Sequence, residues 1–275
     1  MTNHPHGDPA VRPVVVKVGG ALLDDERARG SFLDRVCAAQ VQGHDLVLVH
    51  GGGAAVDRHL RRVGVETERI DGIRITPPAT MPEIAGVLAG DVGTMLVADL
   101  RRRGVTAVGL RLGDDPGIRT ERLKADFDPG AVGTVTGGRA DLITLVLGTG
   151  ATPVIASIGF LADGSPVNVN ADDAAAGVAG ALDAAALLLL TDVPGVLDAG
   201  ERTIPELDAG RIELLLAAGT IRGGMIPKVR SALATAEATG TPVVIAHWAD
   251  PVVLLHPLRA ATTTTIQPSP IGVRG

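Results

Sequence analysis

The chain has 275 residues, 45% of them apolar, a formal charge of −6 and a pI of about 5.6. That is enough apolar sequence for one large α/β domain or two joined lobes, and the mild acidity argues against nucleic acid as the main partner, which requires a basic stripe. Cys37 is the one cysteine, so no internal disulfide is possible and a reducing compartment fits.

The first element is a β-branched strand over residues 13–18 that ends in Gly19-Gly20. Helical spacing follows over 24–41, a second strand over 45–50 ends in Gly51-Gly52-Gly53, and a helix follows over 54–63. Residues 83–103 read as one or two helices and 105–112 as a third strand. The polar, Gly-containing stretch 123–135 reads as hairpins, Asp141–Gly148 as a helix, and 153–158 as a strand before a turn-rich excursion over 159–166. Residues 171–182 form a small-residue helix and 186–190 a strand ending in Thr191-Asp192. Helices over 206–218 and Met225–Thr239 and strands over 242–246 and 262–267 complete the chain. Strands alternating with helices imply a mostly parallel sheet covered on both faces. A soft lobe boundary falls near residue 183, giving lobes 1–182 and 183–275. The run 184–190 is the longest apolar one and is too short to cross a bilayer. The N-terminal MTNHPHGDPAVRP has no apolar segment of export-signal length. The expectation is a soluble, cytoplasmic protein with no membrane partner.

The basic residues are unevenly drawn: three lysines, Lys17, Lys124 and Lys228, stand against 22 arginines. Lys17 lies inside an apolar strand two residues before Gly-Gly, where an ammonium is costly unless an anion pairs with it. Lys228 follows Gly223-Gly224-Met225 at the start of a helix, where the macrodipole does not favour a cation. Two of the three asparagines, Asn168 and Asn170, share one tripeptide just before Asp172. Asn170 or Asp172 also serves as a helix cap or first-turn acid. Arg74 can clamp a carboxylate through two N–H groups or sit on the surface. Glycine clusters after strands let backbone N–H groups cradle phosphate oxygens, although the spacing matches neither a P-loop nor a dinucleotide fingerprint. No His or Cys cluster has metal-ligand spacing; His4 and His6 lie in the N-terminal tail. Two lysines, glycine loops and one aspartate suit phosphoryl transfer, which needs alignment and positive charge more than covalent chemistry.

These segments, in this order, resemble the amino-acid kinase family, most of all its acetylglutamate kinase branch. The resemblance rests on Val16-Lys17-Val18-Gly19-Gly20, His50-Gly51-Gly52-Gly53, Asp71-Gly72-Ile73-Arg74, Asn168-Val169-Asn170-Ala171-Asp172, Thr191-Asp192-Val193-Pro194-Gly195 and Gly223-Gly224-Met225-Ile226-Pro227-Lys228. It implies a three-layer αβα sandwich around a mainly parallel sheet, like that of carbamate kinase. Lys17 and Lys228 would stabilise the migrating phosphoryl group, and Asp172 would hold both lysines. Gly51, Gly52, Arg74 and Asn168 would bind N-acetyl-L-glutamate. Gly19, Gly20, Thr191, Asp192, Val193, Gly195, Leu197, Gly223 and Met225 would bind ATP, with Mg2+ accompanying the nucleotide. The N-terminal lobe would hold the acid and the dimer contact, and the C-terminal lobe ATP. Gly93-Thr94 stands where many acetylglutamate kinases have Asn-Lys. Only about a dozen residues precede the first strand, whereas arginine-inhibited members carry an extra N-terminal helix, so the resemblance implies a homodimer without arginine inhibition. A sister kinase for another acylated amino acid and a silent ligand-binding regulator are the alternatives.

Overall fold

Strand β1 (Val14–Val18) sets the plan of the molecule. Its side chains alternate with the two-residue period of a strand: Val14, Val16 and Val18 pack into one core and Val15 into another. The computed structural model describes residues 12–260 and 262–269. The tail with His4 and His6, and the expectations attached to it, lie outside the described residues.

The chain continues through α1 (Gly20–Asp24), α2 (Glu26–Val41), β2 (Leu46–His50) and α3 (Gly53–Arg62). A small hairpin pairs β3 (Arg69–Ile70) with β4 (Ile73–Arg74). Then come α4 (Met81–Ala85), a π-helical segment (Gly86–Val92), α5 (Gly93–Arg102) and β5 (Ala107–Arg111). After these follow β6 (Ile118–Arg122), β7 (Val132–Gly138), α6 (Asp141–Gly148), β8 (Thr152–Ala156), β9 (Ile158–Phe160) and β10 (Pro166–Val169). The last third holds α7 (Ala171–Ala181), β11 (Ala186–Thr191), β12 (Glu206–Leu207), α8 (Ala209–Ala217), α9 (Met225–Thr239), β13 (Val243–His247) and β14 (Thr264–Ile266).

Eight strands form one sheet in the order β12-β14-β13-β11-β1-β2-β8-β5. Every pairing from β13 to β5 is parallel; β14 is antiparallel to β13, and β12 runs with β14. One face is covered by α2, α3, α4 and α5 through Phe32, Leu33, Leu60, Ile84, Leu96 and Leu100. The other is covered by α6 to α9 through Ile143, Ala174, Val178, Ile212, Val229 and Ala236. This is the three-layer αβα arrangement with a mainly parallel sheet. The sheet runs unbroken across residue 183, because β1 pairs with β11. A second sheet, β6-β7-β10-β9, stands beside the carboxyl ends of these strands.

Where structure and sequence expectation differ, the cause is local. The helix expected over 24–41 is interrupted at Asp25, which is extended and whose carboxylate caps Ala28. The hairpin expected over 123–135 is displaced: β6 precedes that stretch, 123–131 is the connection, and 132–135 form the first part of β7. The helix expected over 206–218 begins at Ala209: Glu206 and Leu207 pair with β14, and Asp208 caps the helix at the Arg211 amide. The β3–β4 hairpin turns on Asp71 and Gly72, both with positive φ, as an Asp-Gly two-residue turn requires.

Residues 78–102 form one continuous helical stretch long and apolar enough, by length and composition, to cross a membrane. Its apolar residues Met81, Ile84, Val87, Leu88, Leu96 and Leu100 are built into the core on the sheet. Such a stretch also occurs as the core helix of a globular protein, and a search for unbroken apolar runs misses it because Gly86, Gly90 and Asp91 interrupt the pattern.

Helix α7 lies against β7 so closely that a Cβ on Gly177 would sit 2.4 Å from Val135 Cγ1. In an open helix Gly→Ala stabilises by about 1 kcal/mol. Here overpacking should reverse the sign, and Gly177→Ala should destabilise by about 1–3 kcal/mol in urea unfolding. A gain in stability would contradict the packing described.

Candidate active site

The carboxyl ends of β1, β2 and β11 lie side by side and carry the chemistry. Lys17 shares the face of Val15, the face that α7 covers. Helix α7 begins there with Asn170 as its cap, the Asn170 side chain accepting from the Asp172 amide at 2.9 Å. This brings the Asp172 carboxylate to 3.0 Å from Lys17 Nζ. The ammonium that looked costly in an apolar strand has its anion, and both groups keep some contact with water.

A cavity of about 420 Å3 opens at this point. Lys17, Gly19, Gly20, Gly51, Gly52, Arg74 and Asn168 all line it, together with Ser157 and Asp173. Closeness calls for glycine at Gly51 and Gly52. A Cβ on Gly51 would stand 3.0 Å from Ala171 Cβ, one on Gly52 3.0 Å from Leu88 Cδ2, and one on Gly19 3.3 Å from Lys17 Nζ. The second glycine loop is thus held between α7 and the π-helical segment. Such segments recur at functional sites.

Arg74 is buried at the cavity wall, its guanidinium bonded to the Asp57 carboxylate and to the Gly53 carbonyl. Arg69 reaches the other oxygen of Asp57 at 3.1 Å. Burial pushes the Asp57 carboxyl up, but the two guanidiniums outweigh it and hold the group below the usual carboxylate range. Asn168 Nδ2 points to the Thr76 hydroxyl at 3.4 Å. Asp173 is raised by burial, against hydrogen bonds from Thr134 and the Val135 amide. Asp57, Arg69 and Asp173 were not picked out from the sequence. An acid in a helix and an arginine in a polar turn look like solvated surface until the chain brings them together.

Lys228, in the first turn of α9, donates to the Thr191 hydroxyl at 2.7 Å and stands 3.7 Å from Asp192. The Thr191 hydroxyl, first, and the Lys228 ammonium hold the Asp192 carboxyl below its ordinary range. Among the described residues Asp172 pairs with Lys17 and not with Lys228. Thr191 lies two residues beyond Leu189, the register partner of Lys17 on the neighbouring strand, and the alternation puts it on the face of Lys17. The two lysines therefore approach the same edge and face of the sheet from different elements. A second cavity, of about 470 Å3, is lined by Val193, Gly195, Leu197 and Met225 with Thr220 and Ile221. Thr191, Asp192 and Gly223 line neither of these two cavities.

Residues 12–247 match the amino acid kinase family over most of the chain. The chain belongs to that family. It is 42% identical over 245 residues to a Vibrio cholerae protein named acetylglutamate kinase, covering 89% of this chain and 92% of that one. Among solved structures it resembles smu.665 of Streptococcus mutans UA159, at 33% identity and a TM-score of 0.72, over 85% of this chain and 94% of that chain. It also shares its fold with Giardia carbamate kinase, at 18% identity and a TM-score of 0.65, over 94% of this chain and 99% of that chain.

His50 closes β2 at full burial, and loss of water pushes its imidazole down to about 4 against a bond to the Gly51 carbonyl that favours the charged form. In the unfolded chain it returns to about 6.5. The unfolded state then binds the proton first as pH falls, so stability is present above pH 6.5 and is lost towards pH 4, by about 3 kcal/mol in all. Urea unfolding should show the native protein losing about 2 kcal/mol more than His50→Asn between pH 7 and pH 5. Equal losses would contradict the assignment.

Proposed function

We propose that this chain is an acetylglutamate kinase. It moves the γ-phosphoryl group of ATP to the side-chain carboxylate of N-acetyl-L-glutamate, giving an acyl phosphate and ADP, the second step of arginine biosynthesis. The observation that carries the reading is the Lys17–Asp172 pair at 3.0 Å on the rim of a glycine-walled cavity, within a chain so similar to acetylglutamate kinases.

The acceptor carboxylate is ionised near pH 7 and needs no general base. One of its oxygens forms the new bond to γ-phosphorus while the bond from phosphorus to the bridging oxygen breaks, and ADP keeps that electron pair. What the protein supplies is alignment and countercharge. Lys17 approaches the migrating group from β1, oriented by Asp172. Lys228 approaches from α9, leaving Thr191 for the phosphate when nucleotide binds. The amides of Gly19, Gly20, Gly51 and Gly52 donate to phosphate and carboxylate oxygens. Arg74, fixed by Asp57, and Asn168 grip the α-carboxylate end of the acid. Val193, Gly195, Leu197 and Met225 hold the nucleotide beside Thr191, Asp192 and Gly223. Magnesium arrives with the nucleotide. The described residues contain no group of three or more acidic, His or Cys side chains able to cage it, so phosphate oxygens and water would be its main ligands. The acid occupies the N-terminal lobe, residues 1–182, and ATP the C-terminal lobe, residues 183–275, and the enzyme works in the cytoplasm.

Hydroxamate trapping of the acyl phosphate with N-acetyl-L-glutamate, N-acetyl-L-aspartate and aminoadipate derivatives tests the reading. N-acetyl-L-glutamate should give the highest kcat/KM, and Lys17→Ala should lower kcat by about 10²–10³. Arg74→Ala should act mainly on KM for the acid. Near-normal turnover in Lys17→Ala, or preference for another acid, would overturn it.

We also propose a homodimer. It is supported by the open sheet edge at β5, where Gly109 and Arg111 stay exposed. Sedimentation equilibrium should give twice the 28.0 kDa chain mass, unchanged by arginine; a monomeric or hexameric mass would contradict it.

A further inference from the structure

His50 is fully buried, and its two ring nitrogens have different fates. Nδ1 lies 3.0 Å from the carbonyl oxygen of the next residue, Gly51. A carbonyl can only accept, so Nδ1 carries the proton and donates. Nε2 is then a bare acceptor, and it has no hydrogen-bond partner. It faces Gly93 in the helical stretch beyond the π segment: a Cβ there would stand 3.5 Å from Nε2 and 3.3 Å from the Leu88 carbonyl. Burying an imidazole with one nitrogen unsatisfied costs free energy. An apolar side chain would fill the same space without that cost, so the hydrogen bond made by the other nitrogen calls for an explanation.

The explanation lies in the peptide that the bond holds. The Gly51 carbonyl and the Gly52 amide belong to one planar trans unit and point in opposite directions. Fixing the carbonyl against the imidazole therefore turns the Gly52 N–H the other way. That amide donates no hydrogen bond among the described residues, and Gly52 lines the reaction cavity. The glycines have no side chains with which to hold themselves. Ala171 touches one side of the loop and Leu88 and Val92 the other, which limits translation but leaves the rotation of the peptide to a hydrogen bond.

We infer that His50 is a positioning residue: its Nδ1–H pins the Gly51 carbonyl and so aims the Gly52 amide at the negative charge that develops on the transferring group. This rests on the kinase reading for its consequence, but not for its geometry.

The test compares three variants in the full-length chain. In His50→Asn the side-chain NH2 sits on Cγ, where Nδ1 sits, and can keep the bond. His50→Gln places its donor one atom further out, and His50→Leu has none. Turnover of N-acetyl-L-glutamate with MgATP is measured together with the orientation of the Gly51–Gly52 peptide in a crystal structure of each variant. Leu and Gln should lower kcat about 10- to 100-fold, part of the loss expected when a charge-stabilising donor is removed, with KM for either substrate changed less than about threefold. The Gly51–Gly52 peptide should leave its native orientation in both. Asn should restore kcat to within about threefold and keep the native peptide orientation. Native kcat in His50→Leu, or Asn as impaired as Gln, overturns the inference. If His50→Leu does not fold, the contrast between Asn and Gln decides. If the native chain phosphorylates no acylated amino acid, the kinase reading fails by itself, and the peptide orientations still decide on His50: one orientation in all variants overturns it.

Discussion

The ion pair between Lys17 and Asp172 is the constraint around which the site is arranged. A lysine in a strand of valines is tolerable only where its head meets a carboxylate. The strand fixes on which face that head emerges, and α7 has to begin there. Asn170 makes the start by capping the helix at the Asp172 amide, and the chain's small residues let α7 lie close: Gly177 admits Val135, and Ala171 admits Gly51. The pair thus ties β1 to the first turn of α7 and leaves a cavity between them.

The parallel sheet multiplies this one contact. Because β1, β2 and β11 run the same way, their carboxyl ends deliver the two glycine loops and the Thr191-Asp192 turn to one edge. Ligands in open α/β sheets gather at such an edge. Lys228 reaches it from α9 by way of the Thr191 hydroxyl and stands 3.7 Å from Asp192. Arg74 reaches it from the β4 hairpin with its charge balanced by Asp57. Each cation is held by a partner from another element of the chain.

Much of this was legible in the sequence, because local chemistry marks it. Lys17 stood out as a charge in an apolar run, Asn168 and Asn170 as two of three asparagines, and the glycine loops as strand endings. The parallel strands showed as continuous apolar runs such as 45–50. What stayed hidden depends on pairing between distant segments. Asp57 and Arg69 acquire meaning only when α3 lies beside the β3–β4 hairpin. The antiparallel turn of β14 and the short pairing of β12 are set by partners far along the chain. The π-helical segment Gly86–Val92 carries two glycines, and nothing in its pattern separates a π turn from an α turn. His50 reads as one more residue of a buried strand until its bond to the Gly51 carbonyl is seen.

The central claim is that two ammonium groups, one on a strand and one on a helix, converge on a single phosphoryl group between two bound ligands. A crystal structure with N-acetyl-L-glutamate, MgADP and a planar fluoroaluminate in place of the migrating phosphoryl tests it most directly. The account predicts both Nζ atoms within about 3.2 Å of that group's oxygen or fluorine atoms, with Asp172 still on Lys17 and Thr191 released by Lys228. A bound analogue met by Lys17 alone, with Lys228 still on Thr191, would contradict it.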